Sequence, residues 1–590
     1  MASVSYSPPA MPPPANTGTV GDRMLKTGGK SRTQLQHPTD RSLTSLGYWT
    51  DNGAWYHYLC SECCGGGGGS QGPCDCPPEC AGHNTMEDVM LGVKKDWASK
   101  KIPAKYFMFD SWWYPKEGDP ESNSTVHPWP VRSKGGVKEW IPEPQVFPSG
   151  LTNWLGLPTF LHNRCFATDN VYLAMEQFQD SFSCNSRLCI PTDVEVFKHI
   201  MGVVQPWQPF VYEQDWISEA SNAEFVYNST WLGAKWLTAM NDGARYHNMT
   251  VQYSMTMNAA LLQSTTLGAV TQVRGSSDYT AGSDSWDVGG TSLFYWALGV
   301  VASKDTFFTT PHQPGCPKPG LGNCTEPNVE MQIITSVLSH GPVGPGDRLG
   351  MTDPVLTLRS CNADGAILRP RAPFAPLESV FTADDFSANH ALLPWGATVG
   401  AASSPDAFVV FHSDAVSGLS PNATVTVQEL AALPGATLHR AGPAPRYVAA
   451  LITNGTAWAD GGGVIMSVVE AGAPLVLTVG AAEPPRKGAN ALELWLLAPI
   501  DPTGGWALLG ELGKVVPHSA QRVAHSGFVG GGQQASVTVR ATIVGVPGES
   551  VVITAVDSTT MATHDATCVF TAAATEATFQ CKAQKGCACH

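Results

Sequence analysis

The sequence predicts an α/β protein, a (β/α)8 TIM barrel followed by a C-terminal antiparallel β-sandwich domain. Three observations predict it. Short apolar runs alternate with amphipathic stretches from Leu43 to Gly350, eight strands in roughly 300 residues, a count and length that suit a barrel better than an open doubly wound sheet. After Gly350, Ala, Val, Thr and Gly dominate, and strand-type alternation replaces helical periods. Hydrophobic residues make up 43% of the 590 and charged residues only 14%, enough apolar material for large cores.

Residues 1–42 are rich in Pro, Gly, Ser and Thr and lack any period, so they read as a disordered lead-in. The barrel is expected over 43–350, with strands at 46–49, 105–110, 159–162, 209–215, 250–257, 269–274, 305–309 and 333–338. Met86, Val89, Met90, Val93 and Trp97 recur at three- and four-residue spacing, which places them on one helix face. Pro103 breaks that helix. Residues 193–204 and 231–246 predict further helices. Residues 351–390 form a connector, and 391–590 a β-domain whose segments ATVTVQEL, ALELWLLA, SVTVRATIVGV and SVVITAV are separated by turn residues.

Acids outnumber bases 50 to 35, a net charge of −15, the wrong sign for gripping a nucleic-acid backbone. No apolar run approaches the ~18 residues of a membrane span. The 16 cysteines and six Asn-x-Ser/Thr sequons (Asn123, Asn228, Asn248, Asn323, Asn422, Asn454) point to a secreted or endomembrane-lumenal protein. The N-terminus shows neither the basic nor the apolar region of a signal peptide; an N-terminal truncation would reconcile the two observations. Cys60, Cys63, Cys64, Cys74, Cys76 and Cys80 surround the Gly65–Gly69 run and read as a disulfide-tied insertion at 60–80. A zinc site there would need a second cysteine pair or a histidine at ligand spacing. Cys184/Cys189, Cys316/Cys324 and Cys568/Cys581 are plausible local bridges.

Barrel enzymes work at the C-terminal ends of their strands, so the residues after each apolar run are the candidates. Those ends present Asp51, then Asp110 with Trp112 and Trp113, then His162 and Arg164, Glu213 and Asp215, Arg274 and Asp278, and finally Asp347. Of the 18 tryptophans, 14 precede residue 300, so aromatic surface concentrates where these acids lie. Carboxylates and indole rings without a metal-ligand cluster suit a carbohydrate: rings pack on sugar C–H faces, while acids and Arg bind hydroxyls. An oligosaccharide or glycoside is therefore the expected partner, with no cofactor. Glycosidic cleavage needs two carboxyl groups. Asp215, at the end of the fourth strand, is the candidate nucleophile, and Asp278, after the sixth, the candidate acid/base. The plainer reading makes both of them helix caps. Asp284 and Asp287 rival Asp278, although Asp287 beside two glycines suits a helix cap. Trp112 and Trp113 point in alternate directions, so at most one faces a sugar. His162 and Arg164 share a face and read equally as ligand contacts or as salt-bridge partners of a neighbouring acid.

The segments DSWW at 110–113, YEQD at 212–215, VTQVRGSSDY, LSHGPVGPGDRLG and DGAILRPRAPFAPLESVF occur in an order that resembles the α-galactosidase/raffinose synthase (seed imbibition protein) clan of retaining α-glycosidases. The resemblance covers about residues 43–380 and implies a barrel followed by a β-domain. It also implies a covalent glycosyl-aspartate intermediate on Asp215, with Asp278 of the Arg-x-Ser-x-Asp stretch as acid/base. Hydrolysis, as in α-galactosidases, and transglycosylation, as in raffinose synthases, both fit it; a carbohydrate-binding pseudoenzyme is the non-catalytic alternative. The sequence departs from the clan at Glu213, where α-galactosidases carry a lysine that contacts sugar hydroxyls. It also has only about 42 residues ahead of the barrel, where larger relatives place a β-sandwich.

Overall fold

A computed structural model of the chain describes residues 20–30, 40–56, 85–117, 135–144, 146–282, 286–313, 325–377, 395–413, 422–436, 446–455, 457–459, 464–470, 475–478, 489, 491–502, 505–528, 537–582 and 586–590. The Cys60–Cys80 insertion, the Cys316/Cys324 pair, Asp284, and the sequons at Asn123 and Asn323 lie outside these residues.

Seven strands build one parallel sheet in sequence order: β1 (Gly47–Trp49), β2 (Tyr106–Phe109), β3 (Thr159–Asn163), β4 (Pro209–Gln214), β5 (Thr250–Tyr253), β6 (Val270–Arg274) and β7 (Val301–Ser303). A parallel sheet needs crossovers, and helices supply them. α2 (Met86–Ser99) starts at Thr85, whose hydroxyl caps Asp88 N, and buries Met86, Val89, Met90, Val93 and Trp97, the face that the periodicity predicts. α3 (Val194–Val203) is capped by Asp193 and buries Val196, Phe197, Ile200 and Met201. α4 (Leu232–Tyr246), α5 (Trp286–Ala297) and α6 (Val329–Leu338) follow.

The first six strands fall within a few residues of expectation, and the last two do not. Strand seven lies at 301–303, before the predicted 305–309, so Lys304 and Asp305 stand at its C-terminal end. The run 333–338, expected as strand eight, belongs to α6, every residue of which is buried. A helix buried on every side, its polar Glu330, Gln332, Thr335 and Ser336 included, leaves the short run 333–338 inseparable by pattern from a buried strand.

Among the described residues no regular ladder closes the barrel. In the eighth position runs the irregular segment 340–346. Gly47 N donates to Val343 O (3.3 Å) and Trp49 N to Pro345 O (3.0 Å), while bridges join Ala302 to His340 and Phe307 to Pro345. Pro342 and Pro345 lack the N–H groups that a full strand would pair, which keeps this seam irregular.

Part of the expected lead-in is ordered. α1 (Val20–Gly28) precedes Lys30, whose Nζ donates to Ser264 O (3.2 Å) and Val270 O (2.7 Å). Asp40 is fully buried under the sheet. Leaving these two polar groups unpaired would be costly, and the docking pairs them.

The strands after Phe374 are antiparallel. A six-stranded sheet and the 422–425/475–478 pair enclose Phe408, Val410, Tyr447 and Leu497. Successive strand residues face opposite ways, so Val409, Phe411, Val448 and Leu496 join the cluster that contains the barrel core. Sheets of three and four strands over 506–589 enclose Trp506, Val539, Ile553 and Phe579. Two sheet pairs thus stand where a single sandwich was expected. Cys184–Cys189 is bridged as predicted, but Cys568 pairs with Cys589 and Cys581 with Cys587. The hairpin of 576–582 and 586–589 sets Cys581 opposite Cys587, which the spacing alone did not reveal. Disulfides of this kind suit an oxidising compartment. Among the described residues no helix is long and apolar enough to cross a membrane.

Candidate active site

Alternation along the strands stacks the barrel interior in layers. At the bottom, Trp49, Tyr106, Met108, Phe160 and Val211 form one apolar cluster. Two residues further along the same strands come Asp51, Asp110, His162 and Glu213, and Asp215 follows Glu213 on the same face. Register places His162 beside Glu213 and Glu213 beside Gln252. The C-terminal mouth is therefore polar because each strand changes character at its last inward position.

On one wall, His162 stands between two acids. Its Nε2 lies 3.3 Å from Asp110 Oδ1 and 3.4 Å from Asp215 Oδ2, and its Nδ1 lies 3.0 Å from the Tyr114 hydroxyl. The His162 carbonyl accepts from the indoles of Trp113 (3.1 Å) and Trp140 (3.0 Å), which fixes its backbone. Burial works against an ionised Asp215, but the hydrogen bond and charge of His162, then Arg274, outweigh it and hold the carboxyl below the usual range. The chain turns sharply after Asp215: Trp216 adopts φ +59, an uncommon left-handed conformation for a bulky residue. Arg164 lies over the Trp216 ring at 4.5 Å. Gln214, on the outer face, donates to the Asp215 carbonyl at 2.7 Å and locks the peptide.

On the other wall, Arg274 gathers acids. Its guanidinium contacts Asp278, lies 2.9 Å from Asp305 Oδ2, and reaches Asp51 Oδ1 at 3.7 Å. Asn52 donates to Asp278 Oδ2 at 2.5 Å. Asp278 is 57% exposed and Arg274 only 8%, so the acid is presented outward from a buried cation. Burial, then the charge of Asp305, pushes Asp51 well above the usual carboxylate range, with Arg274 opposing. Burial likewise raises Asp305, although Arg274 and a hydrogen bond with Asp51 pull it down. The two walls meet in the field of Arg274, which is held in its charged form by Asp305, Asp51, Asp278 and Asp215 against its own burial.

Neither Asp215 nor Asp278 caps a helix. The turn 217–221 begins at Trp216 without a side-chain cap bond, and α5 begins at Trp286, eight positions beyond Asp278. Asp287 lies inside α5 and not ahead of it. Glu213 is wholly buried, and among the described residues neither of its carboxyl oxygens has a hydrogen-bond partner. Burial, then Asp110 and Asp215, drives it towards the protonated form. Trp112 stacks on Phe147 (5.6 Å, 20°) and Trp113 packs edge-on against Trp140 (5.3 Å), so both are buried among other rings. Asp347 accepts from Thr309 N (2.7 Å), Thr309 Oγ1 (2.8 Å) and Gln313 Nε2 (2.8 Å), which commits it to loop packing and not to the mouth. Burial pushes it up to about 6, with the Thr309 bonds pulling it down. Among the described residues no group of three or more His, Cys, Asp or Glu is arranged to hold a metal ion.

No family model matches the chain, and no curated protein matches it in sequence. Solved structures do match. The chain is similar to a variant of a glycoside hydrolase family 97 enzyme from Pseudoalteromonas sp. strain K8, at 9% identity and a TM-score of 0.40, over 81% of this chain and 63% of that one. It is also similar to the family 31 α-xylosidase of Xanthomonas citri, at 9% identity and a TM-score of 0.38, over 80% of this chain and 52% of that one. A third is a glycoside hydrolase family 5 protein from Bacteroides vulgatus, at 7% identity and a TM-score of 0.33, over 70% and 86%. The chain thus spans less than two thirds of the first two in length.

Four residues of the mouth escaped the sequence reading. Asn52 adjoins Asp51 and bonds Asp278. Tyr114 holds His162. Lys304, lowered to about 8 by burial, lies over the Tyr279 ring at 5.0 Å. Asp305 accepts from Tyr279 N at 2.7 Å and so pins the residue after Asp278. The signal for Lys304 and Asp305 was the run VVAS just before them, which ends as the other strands end.

Proposed function

We propose that the barrel mouth cleaves an α-linked glycoside with retention of configuration, through a covalent glycosyl ester on Asp215. The observation that carries this reading is the pair of walls: Asp215 kept ionised by His162, and Asp278 presented by Arg274 and Asn52, both within the field of one guanidinium. An ionised carboxylate is the form that attacks an anomeric carbon. In the first step, a carboxylate oxygen of Asp215 bonds the anomeric carbon as the bond to the leaving oxygen breaks. Asp278, on exchanging Arg274 for that oxygen, takes up a proton from solvent and passes it to the leaving oxygen. In the second step, the Asp278 carboxylate takes a proton from water, whose oxygen displaces Asp215 and frees the sugar. A sugar hydroxyl in place of water gives transglycosylation. The neutral Glu213 offers its proton to a substrate oxygen where a lysine would offer a charge.

A trapping experiment tests this. The protein is treated with fluorinated α-galactosyl, α-glucosyl and α-N-acetylgalactosaminyl donors, and the peptide containing Asp215 is weighed. A glycosyl mass on that peptide is expected; an unlabelled peptide with every donor leaves a carbohydrate-binding module as the reading.

A further inference from the structure

At the opposite pole of the barrel sits a cation whose hydrogen-bond donors find no acceptor among the described residues. Arg369 follows the barrel on a segment held in place from both sides: Leu368 N donates to Ser360 O, Arg369 N to Gln521 Oε1 (3.3 Å) and Arg371 N to Thr398 O. Its side chain is turned inward and only 5% exposed. Among the described residues none of its three guanidinium nitrogens, Nε, Nη1 or Nη2, has a hydrogen-bond partner. A guanidinium does not shed its proton in a protein, and a buried charge without acceptors is among the costliest arrangements a fold can hold.

The neighbours sharpen the imbalance. Asp40 is the carboxylate whose charge reaches Arg369. Its oxygens are already occupied by Ser42 N (2.9 Å), Ser42 Oγ (2.6 Å), Thr271 Oγ1 (2.7 Å) and Gln272 Nε2 (2.9 Å). The Tyr106 hydroxyl, at the start of β2, accepts from the Trp49 indole (2.9 Å). His340, beside them, bonds the Pro370 carbonyl at 2.7 Å; burial and then the Arg369 charge hold it down to about 3, so it is neutral. Lys30 is bound to the carbonyls of Ser264 and Val270 at the foot of β6, and burial lowers it to about 7. Among the described residues at this pole, the Arg369 guanidinium thus faces one buried carboxylate, and the oxygens of that carboxylate are already taken.

We propose that the N-terminal pole of the barrel binds a small inorganic anion of the halide class, held by the guanidinium of Arg369. A water molecule would supply lone pairs but no charge. A monatomic anion supplies both, and it needs no donors beyond those that the Arg369 guanidinium offers. Asp40 nearby disfavours a multiply charged anion by repulsion. The site is independent of the proposed glycoside chemistry, and its role is to complete the fold: an anion that binds only the folded state raises stability by mass action.

Bromide is the probe. Crystals of the full chain grown in sodium bromide are expected to show an anomalous peak within hydrogen-bond distance of Arg369. Thermal unfolding at constant ionic strength should give a Tm that rises and saturates with bromide or chloride and not with gluconate. Arg369→Met should erase that dependence. If Arg369→Met does not fold, the wild-type map and Tm series decide alone. Ordered water in place of a bromide peak at Arg369, or the same Tm in gluconate and in halide, overturns the proposal.

Discussion

Around His162 two acids, Asp110 and Asp215, flank an imidazole; around Arg274 three acids, Asp51, Asp278 and Asp305, flank a guanidinium. The outcomes differ although the acids are the same side chain. Asp215 is drawn below the ordinary carboxylate range, with a hydrogen bond from His162 of its own. Asp51 and Asp305 are driven above it, because one positive charge divided among three acids does not offset their burial. The protonation state of a carboxyl here follows the local ratio of acids to cations and the depth of burial, not the residue type.

The sharpest test of the comparison removes the acid that each wall presents. Asp215→Asn and Asp278→Asn should each cut kcat by about 10⁴-fold or more on any donor the wild type turns over. Neither residue caps a helix, so the melting temperature should stay nearly unchanged; a large fall in either variant would restore a structural role. The next largest effect is on stability. Arg274→Met strands buried acids on its wall and should cost about 3–5 kcal/mol in urea unfolding. A much smaller loss would mean those acids are already neutral.

The His162 wall is probed through pH. With His162→Gln, Asp215 loses the largest of the influences that lower it and keeps that of Arg274, so its carboxyl titrates higher and the acid limb of kcat/KM moves towards neutral pH. The sign for stability follows. A depressed folded pKa contributes stability above the unfolded value, and that stability is lost as pH falls through the folded one. The variant should therefore have less stability to lose on acidification. An unmoved acid limb would take His162 out of the account. The smallest effect belongs to Trp112→Phe. With the ring packed on Phe147 and not open to the mouth, stability should fall by less than about 1.5 kcal/mol while KM stays constant.

Much of this mouth was legible in the sequence. Asp110, His162, Asp215 and Arg274 each end an apolar run whose length marks a strand, and inward alternation does the rest. Asp305 was missed because Asp305–Thr309 was read as the strand itself, which put the residue at the wrong end of its element. The helix at 329–338 was mistaken for a strand because its surroundings bury it on all sides. Trp112 and Trp113 looked like sugar platforms because composition reports that rings are present but not which rings pack on one another. Cys589 was overlooked as a partner because its proximity to Cys568 arises only when strands 562–569 and 586–589 come together.

The seam at 340–346 bears on all of this. Asp51 stands on one lip of it and Arg274 and Asp305 on the other, so the Arg274 wall is stitched across the least regular join in the barrel. Any breathing of that join pulls the guanidinium away from its first acid before it disturbs His162. The amides of Gly47 and Trp49, bonded to Val343 and Pro345, are the natural reporters. Faster hydrogen exchange there than along β4 would mark the edge from which the acid-lined bowl unzips.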